Sequence, residues 1–417
     1  MAETGLSVLC RPCGQRQPGH ADLVRSVYII RFRSKWREGH MMAKRVMLMT
    51  LGWRGRRHHT ALLVWILVSL FTSIQAEAAS ADRWQQLTDE GTAAREQARY
   101  REAEQVFLAA GHEAEQFGST DTRVATTYNN LGLVLHEQGN YIGAKGYYER
   151  ALAVWEQTLG PEHAEVATAL HNLAEIYQQE GKLEPAEAYY LRALAIGERV
   201  LEPGHSQLAL VQNGLGLLYR KEGHLLQAEA RFHLALAQLD RPDGSAPTEV
   251  APILNNLASL YKEKELYVLA EPLYQRALAI RRAHLGDFHP AVAICLNNLA
   301  SLYQAEGLTE LADQRYREAL ASNQRAIEPS EGLMGTILGN WAMLTHERGL
   351  LDEARLKYER ALVIQQQTLG RSHPMVAMLL DHYAALLHDF GQSLQAGLIA
   401  TRASAMRSQG GQSRSPD

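Results

Sequence analysis

Five asparagines recur at a fixed interval along the chain: Asn130, Asn172, Asn256, Asn298 and Asn340, with Gly214 and His382 standing at the two places where the interval would put another. A carboxamide both donates and accepts, so a row of them can hold the backbone of an extended peptide without reading its side chains. At 100° per residue, Asn130 lies about 160 to 200° around a helix from Tyr128 and Gly132, which are apolar or small and mark the packed side. The row is therefore expected to line an open face. A second row, Asn129, Asn213, Asn255 and Asn297, sits about 100° away and is read as facing the next element. Arg220, Lys221 and Lys262 add positive charge near the middle of the first row, where an acidic stretch of ligand would dock.

Other chemistries lack their parts. The sequence has no His-Glu-x-x-His, no Gly-x-Ser-x-Gly, no phosphate-binding Gly loop and no Cys-x-x-Cys-His, so no enzyme and no cofactor is expected. His163, His205, His289 and His373 come one per interval and read as loop-packing residues, not metal ligands. His382 and His388 with Asp381 and Asp389 form the densest His/Asp cluster, but the histidines are not spaced i, i+4. No metal site is expected there. Cys10 and Cys13 have neither a second cysteine pair nor a βαβ context, and Cys295 lies on an apolar helix as a small core residue.

The elements that carry the asparagines repeat with them. A unit beginning at Val124 starts again at Val166, Leu208, Val250, Val292, Met334 and Val376, 42 residues apart each time, which is the signature of a stacked-repeat array. Each unit reads as two helices. The first, helix A, carries Tyr128, Leu131, Gly132 and Leu135 at helical spacing and is stopped by a glycine at 139, 181, 223, 307, 349 or 391, with Glu265 the one departure. Helix B carries two alanine columns, one beginning at Ala144 and one at Ala151, and an aromatic column of Tyr148, Tyr190, Phe232, Tyr274, Tyr316 and Tyr358. Methyl groups at fixed positions let helices approach closely while the aromatic fills the space between hairpins. The expected fold is all-α: a solenoid of stacked antiparallel helix hairpins. Residues 79–123, with Trp84, Leu87, Gly91, Tyr100, Ala103 and Phe107 slipped by one residue from the later phase, read as a divergent amino-terminal capping hairpin, and 124–407 as seven repeats.

This combination of small, aromatic and glycine positions resembles the tetratricopeptide repeat. Its ordinary unit is 34 residues; the longer unit here, with LNNLASLY at 254–261 and 296–303, RALAI at 192–196 and 276–280, and the loops LGPEH, LGDFHP and LGRSHP, is similar to the 42-residue repeats of the kinesin light chain group. The resemblance covers the repeats alone; the heptads by which those light chains join a motor are not found. Two loops depart from the pattern, DRPDGSAP at 240–247 and IEPSEG at 327–332. The resemblance implies a right-handed superhelical α-solenoid, and that the first asparagine row contacts ligand.

Charge divides the chain. Residues 1–78 hold 12 Lys/Arg against 4 Asp/Glu, leaving the remainder with 30 basic and 42 acidic residues, which argues against a nucleic acid partner. Residues 1–40 read as an unstructured or non-native upstream extension. Residues 41–78 read as a signal peptide, with Lys44, Arg45, Arg54, Arg56 and Arg57 before the apolar run Ala61 to Ile74 and small residues ahead of Ala79. Export to a periplasmic or secreted location is the expectation; an uncleaved segment would make the same stretch an anchor. Residues 408–417, SQGGQSRSPD, are expected to be a disordered tail. Two functions fit: a scaffold that binds a peptide or protein in its concave groove, and a structural solenoid that self-associates and leaves the groove empty.

Overall fold

The computed structural model describes residues 57–239 and 247–412, all in helices, turns and short loops with no strand. The upstream extension, Cys10 and Cys13, the basic residues before Arg57, most of the 240–247 loop and residues 413–417 lie outside the described residues. The chain divides between Ala79 and Ser80. Before the division, residues 57–79 form the start of helix α1 (Arg57–Glu96), with Trp65, Phe71 and Ile74 exposed. Among the described residues no helix is long and apolar enough to cross a membrane.

From Ser80 onward the chain is a row of antiparallel hairpins. The capping hairpin pairs the end of α1 with α2 (Tyr100–Glu115). Seven repeats follow: α3 (Thr122–Glu137) with α4 (Tyr141–Leu159), α5 (Ala164–Gln179) with α6 (Leu183–Val200), and α7 (Ser206–Lys221) with α8 (Leu225–Gln238) make the first three. The next are α9 (Val250–Glu263) with α10 (Tyr267–Leu285), α11 (Pro290–Ala305) with α12 (Thr309–Gln324), α13 (Glu331–Glu347) with α14 (Leu351–Leu369), and α15 (Pro374–Asp389) with α16 (Ser393–Gln412). The all-α solenoid expected from the sequence is the fold observed. The last helix runs on to Gln412, past the Arg407 boundary drawn for the final repeat.

Each helix A ends for the reason its glycine suggests. Gly139 takes φ 80°, and the chain folds back so that the Asn140 N–H reaches the Leu135 carbonyl at 2.8 Å while the Gly139 N–H reaches His136 at 2.9 Å. This satisfies carbonyls that the helix end would otherwise strand. Glu265 occupies the same turn position with φ 59°, a conformation that costs an L-residue about 1–2 kcal/mol. Glu265→Gly should therefore raise stability by about 1 kcal/mol once the added freedom of the unfolded glycine is subtracted. A urea midpoint that falls in the variant would contradict this.

The helix starts correct one expectation. His163, His205, His289 and His373 are N-caps: each Nδ1 accepts the backbone N–H two residues on, at 3.1–3.2 Å. They cap helices α5, α7, α11 and α15 and do more than fill loops. Asp121 and Ser330 do the same for α3 and α13.

The alanine columns are almost fully buried, and the aromatic column from Tyr148 to Tyr358 is at most 2% exposed. Small residues on helix A make room for those rings. A Cβ placed on Gly132 would lie 2.5 Å from the Tyr148 ring, and one on Gly216 would lie 2.6 Å from Phe232. Between repeats, a second recurring bond locks helix A to the preceding helix B. The hydroxyls of Tyr219, Tyr261 and Tyr303 donate to Glu187, Glu229 and Glu271 at 2.8–3.0 Å. In the one earlier place, Tyr177 meets a cation instead, with Lys145 Nζ 4.3 Å from its ring centroid.

Candidate functional site: a polar groove along the first helices

The two asparagine rows belong to one ladder. Asn172 Nδ2 donates to Asn129 Oδ1 at 2.8 Å, Asn256 to Asn213 at 2.9 Å, Asn298 to Asn255 at 3.2 Å and Asn340 to Asn297 at 3.2 Å. Each rung joins a helix A to the helix A of the repeat before it. The second row thus meets the next hairpin, as its angle indicates, and what it meets there is the first row. The expectation that the first row is free to hold a ligand needs correcting to that extent. Asn172 is 4% exposed and its amide is committed to the ladder. Asn130, Asn256, Asn298 and Asn340 are half-buried, so the latter three serve as rungs and still present part of the amide to the open face. The rung breaks where either row changes: His171 stands opposite Gly214, and Gly339 opposite His382.

Near the carboxyl ends of the helices A a further set of polar pairs crosses from one repeat to the next. Arg220 Nε donates to Glu263 at 2.9 Å, Gln304 Nε2 donates to Glu347 at 2.9 Å, and His346 Nε2 lies 2.9 Å from Asp389 Oδ2, each partner 43 residues on. By that rule Lys262 should pair with residue 305, and residue 305 is Ala. Its ammonium turns instead to the Ser301 hydroxyl at 2.6 Å. Burial, then the charge of Arg220, lowers the Lys262 pKa. This half-buried ammonium thus meets a neutral hydroxyl where Arg220, Gln304 and His346 meet carboxylates.

Lys262 opens onto two adjoining clefts. One, of about 530 Å³, is bordered by Arg220, Ser259, Lys262, Tyr274, Asn297, Asn298, Ser301, Thr336 and Asn340, with Glu263, the partner of Arg220, also on its wall. The other, of about 250 Å³, shares Lys262, Ser301 and Asn340 and extends to Gln304, Tyr316, Met343 and Glu347. The structure therefore gathers Arg220, Lys262, Asn298 and Asn340 from the sequence-derived set. Asn130 and Asn172 belong to the amino-terminal half, and Asn256, bonded to Asn213, lines neither cleft. Ser259, whose hydroxyl lies 2.7 Å from that of Tyr274, and Met343 also border the clefts; helical periodicity gives neither away, because which side chains of successive repeats share a cleft depends on how the repeats stack. No group of three or more His, Cys, Asp or Glu side chains suited to a metal occurs among the described residues.

Models of the tetratricopeptide repeat match residues 123–199, 165–241 and 249–325, and a second model of that repeat matches 335–374. No curated protein sequence matches the chain. Among solved structures, BtubC (BKLC) from P. vanneervenii is 24% identical over 56% of this chain and 92% of that one, with a TM-score of 0.46. A tetratricopeptide repeat protein from Parabacteroides merdae is 19% identical over 72% of this chain and 98% of that one, with a TM-score of 0.43. A putative kinesin light chain from Podospora anserina, with nearly identical repeats, is 22% identical over 49% of this chain and 97% of that one, with a TM-score of 0.36.

Proposed function

We propose that this chain, which belongs to the tetratricopeptide repeat family, is a protein-interaction scaffold whose groove holds an extended peptide segment with an acidic group seated at Lys262. The observation that carries the reading is the missing carboxylate. Arg220 has Glu263 and His346 has Asp389, while among the described residues Lys262 has only the Ser301 hydroxyl. An acidic side chain or a terminal carboxylate would complete it with a charge-assisted bond, worth about 1.5–3 kcal/mol. The half-exposed amides of Asn298 and Asn340 border the same cleft and suit the backbone on either side.

The competing reading, a solenoid that self-associates with nothing in its groove, draws support from the same ladder, since Asn–Asn rungs satisfy those amides without a ligand. It offers no account of Lys262. The two separate on one substitution. The asparagines are poor probes, because removing Asn256, Asn298 and Asn340 would leave three buried or half-buried partner amides without donors. Lys262→Glu touches no rung. On an array of extended peptides graded from basic to acidic, the unaltered protein should retain the acidic members, and Lys262→Glu should weaken that retention by about tenfold or more. Equal retention across the charge series, or an unaffected variant, would refute the proposal.

A further inference from the structure

The turn between α1 and α2 differs from the later turns of the array. Its left-handed residue is Ala98, φ 57°, and it is 1% exposed. The corresponding Gly139, Gly223, Glu265 and Gly307 are exposed, and a Cβ at any of those three glycines would meet nothing within 4 Å. The hairpin itself therefore does not bury a methyl at this position; something else covers Ala98. Two groups far along the chain reach the same turn. The backbone N–H of Tyr100 donates to Glu328 Oε2 at 3.1 Å, across 228 residues. Burial lowers the His289 pKa and the Glu96 backbone beside the ring opposes that, although the buried Nε2 completes no hydrogen bond among the described residues. Glu328 lies between α12 and α13, and His289 caps α11, so the capping hairpin touches the loops on both sides of the fifth repeat. The rungs and pairs described above join adjacent repeats only.

We propose that this contact is a clasp that fixes the curvature of the repeats between Tyr100 and Glu328. In a stacked array each hairpin touches its neighbours, and curvature is the sum of small rotations with nothing to fix the total. A bond from the first hairpin to the loops around the fifth repeat does fix it. The clasp stands whether or not the groove holds a peptide.

The test uses the full chain with Cys10, Cys13 and Cys295 replaced by alanine and spin labels placed through Gln97→Cys and Ile327→Cys, both exposed positions. A closed clasp gives one short, narrow distance distribution, and Glu328→Ala or Ala98→Glu broadens and lengthens it. Ala98→Glu is a fair wedge because Glu265 already occupies the same turn conformation in the fourth repeat, so the turn itself tolerates the side chain. A second readout is amide exchange. The first N–H of a helix has no acceptor within it, so Tyr100 should exchange about tenfold or more slowly than Tyr141, the first residue of α4, and Glu328→Ala should abolish the difference. A broad distribution in the unaltered clasp, a distribution that neither variant changes, or Tyr100 exchanging as fast as Tyr141 overturns the proposal.

Discussion

Trp155→Ala should cost about 3–5 kcal/mol, the range for truncating a fully buried aromatic, while Trp155→Phe should stay within about 1 kcal/mol of the unaltered protein. Trp155 sits at 1% exposure on α4, in one apolar cluster with Val166, Ala167 and Leu170 of α5. Its removal empties the interface between the first two repeats. Its indole N–H is buried without an acceptor, and a phenyl ring discards that unmade bond while keeping most of the volume. The repeats offer no substitute, because the positions 42 residues on hold Gly197, Leu239, Arg281, Asn323 and Gln365 in turn. Stability in such an array is a sum of nearest-neighbour terms. Amide exchange in the alanine variant should accordingly quicken in the capping hairpin and first repeat and leave α14 to α16, beyond the clasp, unchanged. Equal losses for Ala and Phe in urea unfolding, or quickening spread evenly along the chain, would show that Trp155 does not hold that interface.

The helices were legible because their signals are local. A glycine that must take positive φ ends each helix A wherever it occurs, and Glu265 shows that the backbone demand persists when the glycine is missing. The alanine and aromatic columns are legible because each neighbour imposes the same contact. The groove was legible in outline only. Angular position alone separated the two asparagine rows correctly, but whether a row is free depends on the rise and rotation from one repeat to the next. That stacking sets Asn172 beside Asn129 and Asn340 beside Asn297. Lys262 stood out as a cation in an acidic chain; that Ala305 leaves it without a carboxylate is visible only once Arg220–Glu263 and His346–Asp389 establish the pairing. The histidine caps could have been found, since each stands directly before its helix.

The sharpest conflict between sequence and packing falls at Gly214. Read as a column, 214 is an asparagine position that has lost its side chain, and restoring any side chain should help: alanine alone is favoured over glycine by about 1 kcal/mol inside a helix. The structure predicts the opposite. A Cβ on Gly214 would lie 2.6 Å from Tyr190 Cζ and 2.9 Å from its Oη, and nearer still to Cε1. The ring cannot easily retreat, because it is 1% exposed, its hydroxyl donates to Gln178 at 3.0 Å, and His171 lies at a centroid distance of 5.6 Å. Tyr190 has taken the volume that the missing rung vacates, and His171 stands where the rung's acceptor would be. Gly214→Ala should therefore destabilise by about 1–3 kcal/mol, as overpacking does, and Gly214→Asn by no less. Adding His171→Asn restores both members of the rung but leaves the ring in place, so it should not rescue the fold. Tyr190→Leu should, in part: in a double-mutant cycle its loss and that of Gly214→Ala should sum to more than the pair costs together. Urea unfolding of the four proteins in the cycle decides the matter, and a gain in stability for Gly214→Ala alone would mean that helix propensity, not the Tyr190 ring, governs this position.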